Sequence, residues 1–230
     1  MAMTTESSVA LVELGEPGIR DGARAGNSCT GNYNPIVAKR PLIRYRLNPA
    51  NVQQLPHEDI VAILRAADSM IASGGRTLLT RVLKGSREKS VLAHGLDRNP
   101  SYGYYRELAT DDVAARVDWM ITNGYLAIAY QGQLPVIVFT PRGWEIELET
   151  MADELLRGLD SILATGPPYD MSHLKDRDRG MILRLLEKVE ETGRKELIPL
   201  LEAWAAIDYK KVNAAIRRVV LTLKEKADRH

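Results

Sequence analysis

The sequence is poor in cysteine, and this excludes several kinds of site. Cys29 is the only cysteine among 230 residues, so the chain can form no internal disulfide and no four-cysteine zinc site. The four histidines are scattered without the spacing of metal ligands, and no H-E-x-x-H pattern occurs. We therefore expect no metal, no cofactor and a reducing, cytoplasmic setting.

Long apolar runs are absent as well. No stretch approaches the roughly 18 to 20 apolar residues that a helix needs to cross a bilayer. The opening MAMTTESSVALVELGEP lacks the basic start and long apolar core of a secretory signal. The sequence also has no G-x-x-x-x-G-K-[ST] phosphate loop, and no Ser/His/Asp or paired-carboxylate motif rises above chance. We therefore expect no membrane span and no catalytic residue.

What the chain does have is a basic segment within a nearly neutral whole. Between residues 36 and 106 there are twelve Lys or Arg and five Asp or Glu, which gives this segment a net charge of +7. The formal net charge of the chain is +1, so the rest sums to −6. Such asymmetry favours a polyanionic partner. The alternative, a solvated surface with a chance imbalance, stays open at this point.

Apolar spacing predicts three helical pieces in the first half. Residues 56–73, PHEDIVAILRAADSMIAS, place Ile60, Leu64, Ala67 and Ile71 three or four positions apart, which predicts a helix that Gly74 and Gly75 end. RTLLTRVLK, at 76–84, predicts a second helix ending at Gly85. Ser86 is predicted to cap a third turn or helix within SREKSVLAHG.

A helix followed by two strands is predicted next. Thr110 is the expected N-cap of a helix over 111–123 that buries Val113, Val117, Met120 and Ile121. The apolar period then changes to about two, and YLAIAY and LPVIVFTPRGW predict two strands around a tight turn at 131–133. Several short helices followed by a β-hairpin are the order of a winged helix, with 111–123 as its third helix and the hairpin as its wing.

The remaining chain is predicted to be helical. TGPPYD, at 165–170, is the clearest internal boundary, and three amphipathic helices follow it. The predicted fold class is mainly α with a small β-hairpin wing (α+β), a winged helix followed by an α-helical module. The predicted domains are a flexible or irregular leader at 1–35, a winged helix at 36–150 and a helical module at 151–230.

The order of the short motifs resembles a known family. G-R-x-x-L is followed by L-[KR]-G-S, G-L-D and S-Y-G, then by a helix ending in G-Y-L and a wing closing with FTPRG. Over roughly residues 58–146 this resembles the RQC winged-helix domain of RecQ-family DNA helicases. The helicase motor and the four-cysteine zinc module are missing, so the resemblance is to a stand-alone, non-enzymatic RQC-type protein. ELIPLLEAWAAIDYKKVNAAIRRVVLTLKE weakly resembles a HEAT-type helical repeat.

The resemblance implies a set of DNA-binding residues. In the RQC family the wing and the helix N-termini approach the duplex backbone, often near a junction. The arginine of the family's L-R-G-S falls on Lys84, and the basic residue after its Y-G motif falls on Arg106. The expected DNA-binding residues are Arg76, Lys84, Gly85, Ser86, Arg87, Lys89, Arg106, Thr110, Tyr130, Gln131, Gln133 and Arg142.

Local chemistry agrees with this placement. Gly85 allows close backbone approach, Ser86 would cap a helix with outward N–H groups, and the neighbouring cations add attraction for a phosphate. The alternative is that Gly85 and Ser86 only join two helices. Tyr102, Tyr104 and Tyr105 could stack on bases, although packing is the favoured interpretation, as it is for Trp119.

The expected function is binding of duplex or branched DNA through its phosphate backbone, in DNA repair or replication, with nucleoid association when DNA is bound. A protein-interaction adaptor that uses the winged helix and the C-terminal helices, without binding DNA, is the alternative. A sequence-specific repressor is a third option, which Asp111 and Asp112 disfavour because they would repel phosphates at the start of the third helix.

Overall fold

The computed structural model describes residues 46–175 and 177–227. The predicted leader at 1–35 and the first ten residues of the basic segment, 36–45, lie outside the described residues. The chain divides into two compact units, the first ending with Ala66–Phe139 and the second made of Pro56–Arg65 and the residues from Thr140 onward. Helix α1, His57–Asp68, contributes to both. The predicted domain boundaries stay a prediction.

The first unit is a set of short helices followed by a two-stranded hairpin. Its elements are α2 (Arg76–Lys84), α3 (Lys89–Leu92), α4 (Thr110–Thr122), β1 (Leu126–Gln131) and β2 (Leu134–Phe139). The strands are antiparallel, with Leu126 opposite Phe139 and Gln131 opposite Leu134. The predicted mainly α fold with a small hairpin wing is confirmed.

The core of the first unit comes from the apolar stripes that the sequence predicts. On α2 the buried apolar residues are Leu79, Val82 and Leu83, and on α4 they include Val113, Val117 and Met120. Residues three or four apart share one face of a helix, so each stripe faces the other where α2 packs against α4. From the hairpin, Leu126 and Ile137 are fully buried.

Helix α1 is shorter than predicted. It ends at Asp68 rather than near Ser73, and turns follow up to the start of α2. The reason is a backbone pairing with β2: Ala72 N donates to Ile137 O (2.9 Å), and Ile137 N donates to Gly74 O (2.8 Å). Backbone groups that extend a sheet cannot also continue a helical ladder, so the sheet pairing ends the helix.

The second unit is helical. Besides the first part of α1 it contains α5 (Pro141–Thr165), α6 (Arg179–Thr192), α7 (Ile198–Ile207) and α8 (Lys210–Ala227). Its core surrounds Trp204, which is fully buried, together with Leu185, Leu200, Ile216 and Leu223. The predicted helices after the 165–170 boundary are confirmed, and the likeness to a HEAT repeat stays a prediction.

An ion cluster joins α5 and α6 within this unit. Lys188 Nζ lies 2.7 Å from Glu149 Oε2 and 2.6 Å from Asp153 Oδ1, and Arg184 also pairs with Glu149. The hydrogen bond from Arg184, and then the one from Lys188, lower the pKa of Glu149 below 4.5. Burial acts to lower the pKa of Lys188, but its bonds to Asp153 and Glu149 outweigh burial and hold that pKa above 10.5.

The cluster predicts how stability depends on pH. A lowered carboxylate pKa stabilises the fold above the unfolded-state value, and this contribution is lost as pH falls through the folded-state pKa. We therefore expect thermal melts to show a loss of stability below pH 4.5 that is smaller in Glu149→Gln. The raised pKa of Lys188 stabilises the fold below pH 10.5, and this stabilisation is lost as pH rises further. If the melting temperatures of Glu149→Gln and the native chain fell equally with decreasing pH, the role given to Glu149 would be contradicted.

Candidate nucleic-acid interface

The C-terminal end of α2 is closed by a left-handed glycine. Gly85 has φ 75° and ψ 37°. Gly85 N donates to Val82 O (3.0 Å) and Ser86 N donates to Arg81 O (2.9 Å). This pair of bonds is a Schellman motif, which satisfies carbonyls that a helix end leaves free. The left-handed φ and the tight neighbourhood both favour glycine here.

Two sequence landmarks, the L-K-G-S and S-Y-G motifs, meet at this helix end. A Cβ added to Gly85 would lie 3.0 Å from Gly103 Cα. Gly103 N donates to Val82 O (2.9 Å), and Tyr105 N donates to Leu83 O (2.9 Å). The Tyr102 hydroxyl donates to Ser86 O (3.0 Å). The loop around Gly103 is therefore docked on the last turn of α2 by backbone hydrogen bonds.

Lys84 is engaged by this loop. Its Nζ donates to Leu108 O (2.5 Å) and to Arg106 O. Backbone carbonyls that have no helical or strand partner are costly to leave unpaired, and an ammonium group with three donors can satisfy two of them at once. Lys84 thus holds the loop that leads into α4. Its DNA contact, expected from the family motif, stays a prediction.

Arg76 is also engaged within the first unit. Its guanidinium pairs with Asp118, through Nε to Oδ1 and through Nη2 to Oδ2 (2.8 Å). The Asp118 side chain is fully buried, whereas the side chain of Arg76 is 21% exposed. Asn48 N donates to Asp118 Oδ2 as well (2.7 Å). Asp118 therefore ties α2 and the segment before α1 to α4, and Arg76 neutralises its buried charge.

Three of the expected cations have no such partner. Arg87, Lys89 and Arg106 are exposed, and none of their side chains hydrogen-bonds or ion-pairs with another described residue. The Arg106 guanidinium lies against the two glycines, since a Cβ at Gly103 would come within 3.0 Å of its Nη2. We call Arg87, Lys89 and Arg106 the free cation set. Their charges are available to a ligand.

The neighbouring Arg81 and Glu88 neutralise each other. Arg81 Nε lies 3.1 Å from Glu88 Oε1. The free cation set is therefore left with little opposing charge from the one acid in the 85–89 loop. A phosphate approaching Arg87 or Lys89 would meet a carboxylate that already has a partner.

Both predicted helix caps are wrong. The N-cap of α3 is Glu88, because the Ser86 hydroxyl accepts from Glu88 N (3.3 Å) inside the loop instead of from a helical N–H. The N-cap of α4 is Ala109, and Thr110 is the first helical residue, with an exposed side chain. Helix α3 has four residues, too few for the N-terminal phosphate site expected there.

The wing tip has no charge. Residues 126–139 contain no Lys, Arg, Asp or Glu. Gln131 and Gln133 are exposed, Tyr130 is half-buried opposite Pro135, and Leu134 is 67% exposed. The hairpin can offer a ligand amide hydrogen bonds and apolar contact, but it adds nothing to electrostatic attraction.

The last expected residue lies elsewhere. Arg142 is exposed in the first turn of α5, which belongs to the second unit, whereas the other eleven expected residues belong to the first.

Asp118 was not expected. An aspartate inside the apolar stripe of a predicted helix, between Val117 and Trp119, is the signal that could have indicated a buried ion pair.

The aromatic residues pack as the favoured interpretation predicts, with one exception. Tyr105 is 7% exposed and lies under the Arg116 guanidinium, 5.3 Å from the ring centroid. Trp119 is also 7% exposed, and its Nε1 donates to Gln53 O (3.1 Å). Tyr104 is the exception, because it is 45% exposed and its ring offers a large open face.

Neither a membrane span nor a metal cluster is seen in the described part of the chain. No helix within 46–175 or 177–227 is long and apolar enough to cross a membrane. The same residues contain no group of three or more His, Cys, Asp or Glu placed to hold a metal ion.

Short helices followed by an antiparallel hairpin that leads into a further helix define a winged helix. Residues 56–155 match the family model of the RQC domain. This part of the chain, from α1 into α5, is therefore similar to an RQC domain, a winged-helix type associated with DNA binding. No curated protein and no solved structure matches the chain.

Proposed function

We propose that this protein is a non-enzymatic DNA-binding protein that contacts duplex or branched DNA mainly through the phosphate backbone. The observation that carries the proposal is the free cation set on the RQC domain. Arg87, Lys89 and Arg106 flank the junction of Gly85 and Gly103, which the backbone bonds to α2 hold in place.

The rigidity of this junction matters for binding. Cations on an ordered loop lose less conformational freedom on contact with a phosphate than cations on a loose one. Each neutralised phosphate releases counterions, so the free cation set would give log Kobs a slope of about −2.7 against log salt if all three contact phosphates.

Sequence-specific reading is not part of the proposal. Asp111 and Asp112 are exposed in the first turn of α4, and a carboxylate at that end of a helix would repel the DNA backbone. Strand separation is not part of it either, because the neutral tip offers only the half-buried Tyr130 as an aromatic ring.

The test is a fluorescence anisotropy panel with the full chain at about 50 mM salt, where backbone binding is strong. We expect binding to at least one of three probes: a plain duplex, a fork and a four-way junction. Absence of binding to all three would contradict the proposal. We further propose that the protein acts in the cytoplasm, at the nucleoid, in DNA repair or replication.

A protein-interaction adaptor is the second candidate, and exposed apolar side chains favour it. In the first unit, Leu92 is 46%, Tyr104 is 45% and Leu134 is 67% exposed. Exposed apolar groups that form one contiguous patch are typical of protein contacts. If the chain is an adaptor, replacing the free cation set leaves every DNA measurement unchanged, whereas replacing Leu134 with a polar residue weakens capture of a protein partner.

A further inference from the structure

The second unit has a cleft between the start of α6 and the turn that joins α7 to α8. Its volume is about 230 Å³. Pockets for drug-sized ligands and cofactors usually range from about 300 to 1,000 Å³. This cleft is therefore too small for such a ligand and has a size suited to one large side chain.

The floor of the cleft is apolar. Leu174 and Ile182, which are almost fully buried, form it together with Val212 from the first turn of α8. An apolar side chain placed there would leave water at a gain of about 25 cal/mol per Å² of buried surface. The floor alone does not say what occupies the cleft.

The rim identifies the chemistry of the occupant. Arg177, Arg179 and Lys211 line the cleft and are exposed. Arg177 uses its Nε to donate to His173 O (2.7 Å), which holds the guanidinium at the rim. A surface that combines an apolar floor with a cationic rim is complementary to a ligand that is apolar at its centre and acidic around it.

The carboxylates beside the rim are already used within the unit. Asp208, which also lines the cleft, accepts from Trp204 Nε1 (2.7 Å) and from Tyr209 N (2.6 Å). Asp178 accepts from Met181 N (3.1 Å) at the N-cap of α6. These hydrogen bonds fix the orientation of both carboxylates without cancelling their charge. Asp208 is the one acid among the lining residues, so against Arg177, Arg179 and Lys211 the lining keeps a net charge of +2.

Apolar groups around the cleft favour a protein partner over a nucleic acid. Tyr209 is 61% exposed with Lys175 Nζ 5.5 Å from its ring centroid, and Ile207 is 40% exposed. Tyrosine and arginine are enriched in protein interfaces, and apolar anchors in small pockets carry most of their energy. A phosphate backbone would gain nothing from the exposed isoleucine or from the apolar floor.

We propose that this cleft binds an acidic protein segment that inserts one large apolar side chain between Leu174, Ile182 and Val212. The carboxylates of the segment then pair with Arg177, Arg179 and Lys211. The site lies wholly within the second unit and is independent of the free cation set. The protein would thereby hold a partner at one surface while the RQC domain contacts DNA at another.

The test is a selection from a random peptide library displayed on phage, with the full chain as bait. We expect the enriched peptides to carry net negative charge and at least one large apolar residue. Enrichment of neutral or basic peptides, or no enrichment over an empty surface, would overturn the proposal.

Binding measurements on variants then test whether the best selected peptide binds at the cleft. We expect Arg177→Glu and Lys211→Glu each to weaken its binding about fivefold and to reduce its salt dependence, and Tyr209→Ala to weaken it to a similar extent. The matched control is Arg157→Glu, an exposed cation of α5 that does not line the cleft. Circular dichroism checks that each variant is folded.

Two outcomes count against the site. Equal affinity of the selected peptide for Lys211→Glu and for Arg157→Glu would mean that it binds elsewhere. A loss of duplex DNA affinity in Lys211→Glu, absent from Arg157→Glu, would assign the surface to nucleic acid. Failure of DNA binding through Arg87, Lys89 and Arg106 would leave the peptide result untouched, so the two proposals fail separately.

Discussion

Replacing Arg87, Lys89 and Arg106 together with alanine is expected to lower the affinity for duplex DNA on the order of a hundredfold at about 50 mM salt. Each cation that neutralises a phosphate releases counterions, and this release is the main sequence-independent source of affinity. The slope of log Kobs against log salt should become shallower by about 2.7. All three side chains are exposed and have no partner among the described residues, so folding should persist.

A matched control separates specific contacts from net charge. Arg157, Arg217 and Arg218 are exposed in the second unit, and their joint replacement with alanine changes the net charge by the same amount. We expect the control variant to keep most of its affinity and its salt slope. An equal loss in both triple variants would contradict the placement of the DNA site on the first unit.

Lys84→Ala provides the complementary comparison. The Lys84 ammonium satisfies the carbonyls of Arg106 and Leu108, so its removal should destabilise the loop before α4. The salt slope of DNA binding should stay the same. A slope that falls by about 0.9 in a fully folded Lys84→Ala would instead assign this lysine to a phosphate, as the family motif implies.

Asp118→Ala is expected to destabilise the first unit by about 3 to 5 kcal/mol. The substitution leaves the Arg76 guanidinium, 21% exposed, without its counter-charge, and it leaves Asn48 N without its acceptor. Breaking a buried ion pair from one side costs more than removing both partners, because the remaining charge stays desolvated. The double variant Arg76→Met/Asp118→Ala should therefore recover part of the loss.

Hydrogen exchange with mass spectrometry is the suitable readout, because two compact units need not unfold as one. Exchange should rise in α2 and α4 of Asp118→Ala and stay unchanged in α6 to α8. Asp112→Ala is the control: Asp112 is exposed on the same helix, and its replacement should cost less than about 0.5 kcal/mol. A cost below about 1 kcal/mol for Asp118→Ala would show that the pair contributes little.

The sequence predicted the helices and strands well where a glycine or a change of apolar period marks the end of an element. Helix α2 has the predicted bounds, because Gly85 adopts the left-handed conformation that ends it. The hairpin appeared where the apolar period changed, with Gly132 in its turn at φ 62°. The motif order around these elements also sufficed to indicate the similarity to the RQC domain.

Long-range partners could not be predicted in the same way. Nothing near Lys84 in the sequence says that its Nζ donates to carbonyls 22 and 24 residues later. Arg76 likewise finds Asp118 42 residues away. Both cations are expected at the DNA from the resemblance, and that expectation stays a prediction. The early end of α1 has a similar cause, since the backbone of Ile137 hydrogen-bonds to Ala72 N and Gly74 O.

The predicted caps failed for a more local reason. The Ser86 hydroxyl can accept from any nearby backbone N–H. A short turn in which it accepts from Glu88 N competes with a helix cap in which it would accept from a helical N–H. Thr110 stands one residue inside α4, where Ala109 has the extended backbone of an N-cap. Side-chain preference marks the neighbourhood of a helix start, whereas backbone geometry decides the residue.

The most direct measurement is the salt dependence of duplex DNA binding by the native chain, followed by anisotropy from about 50 to 200 mM salt. We predict a linear fall of log Kobs with a slope of about −2.7 or steeper, as expected when at least three phosphates are contacted. Absence of binding at the lowest salt, or binding with a slope near zero, would contradict recognition through the phosphate backbone.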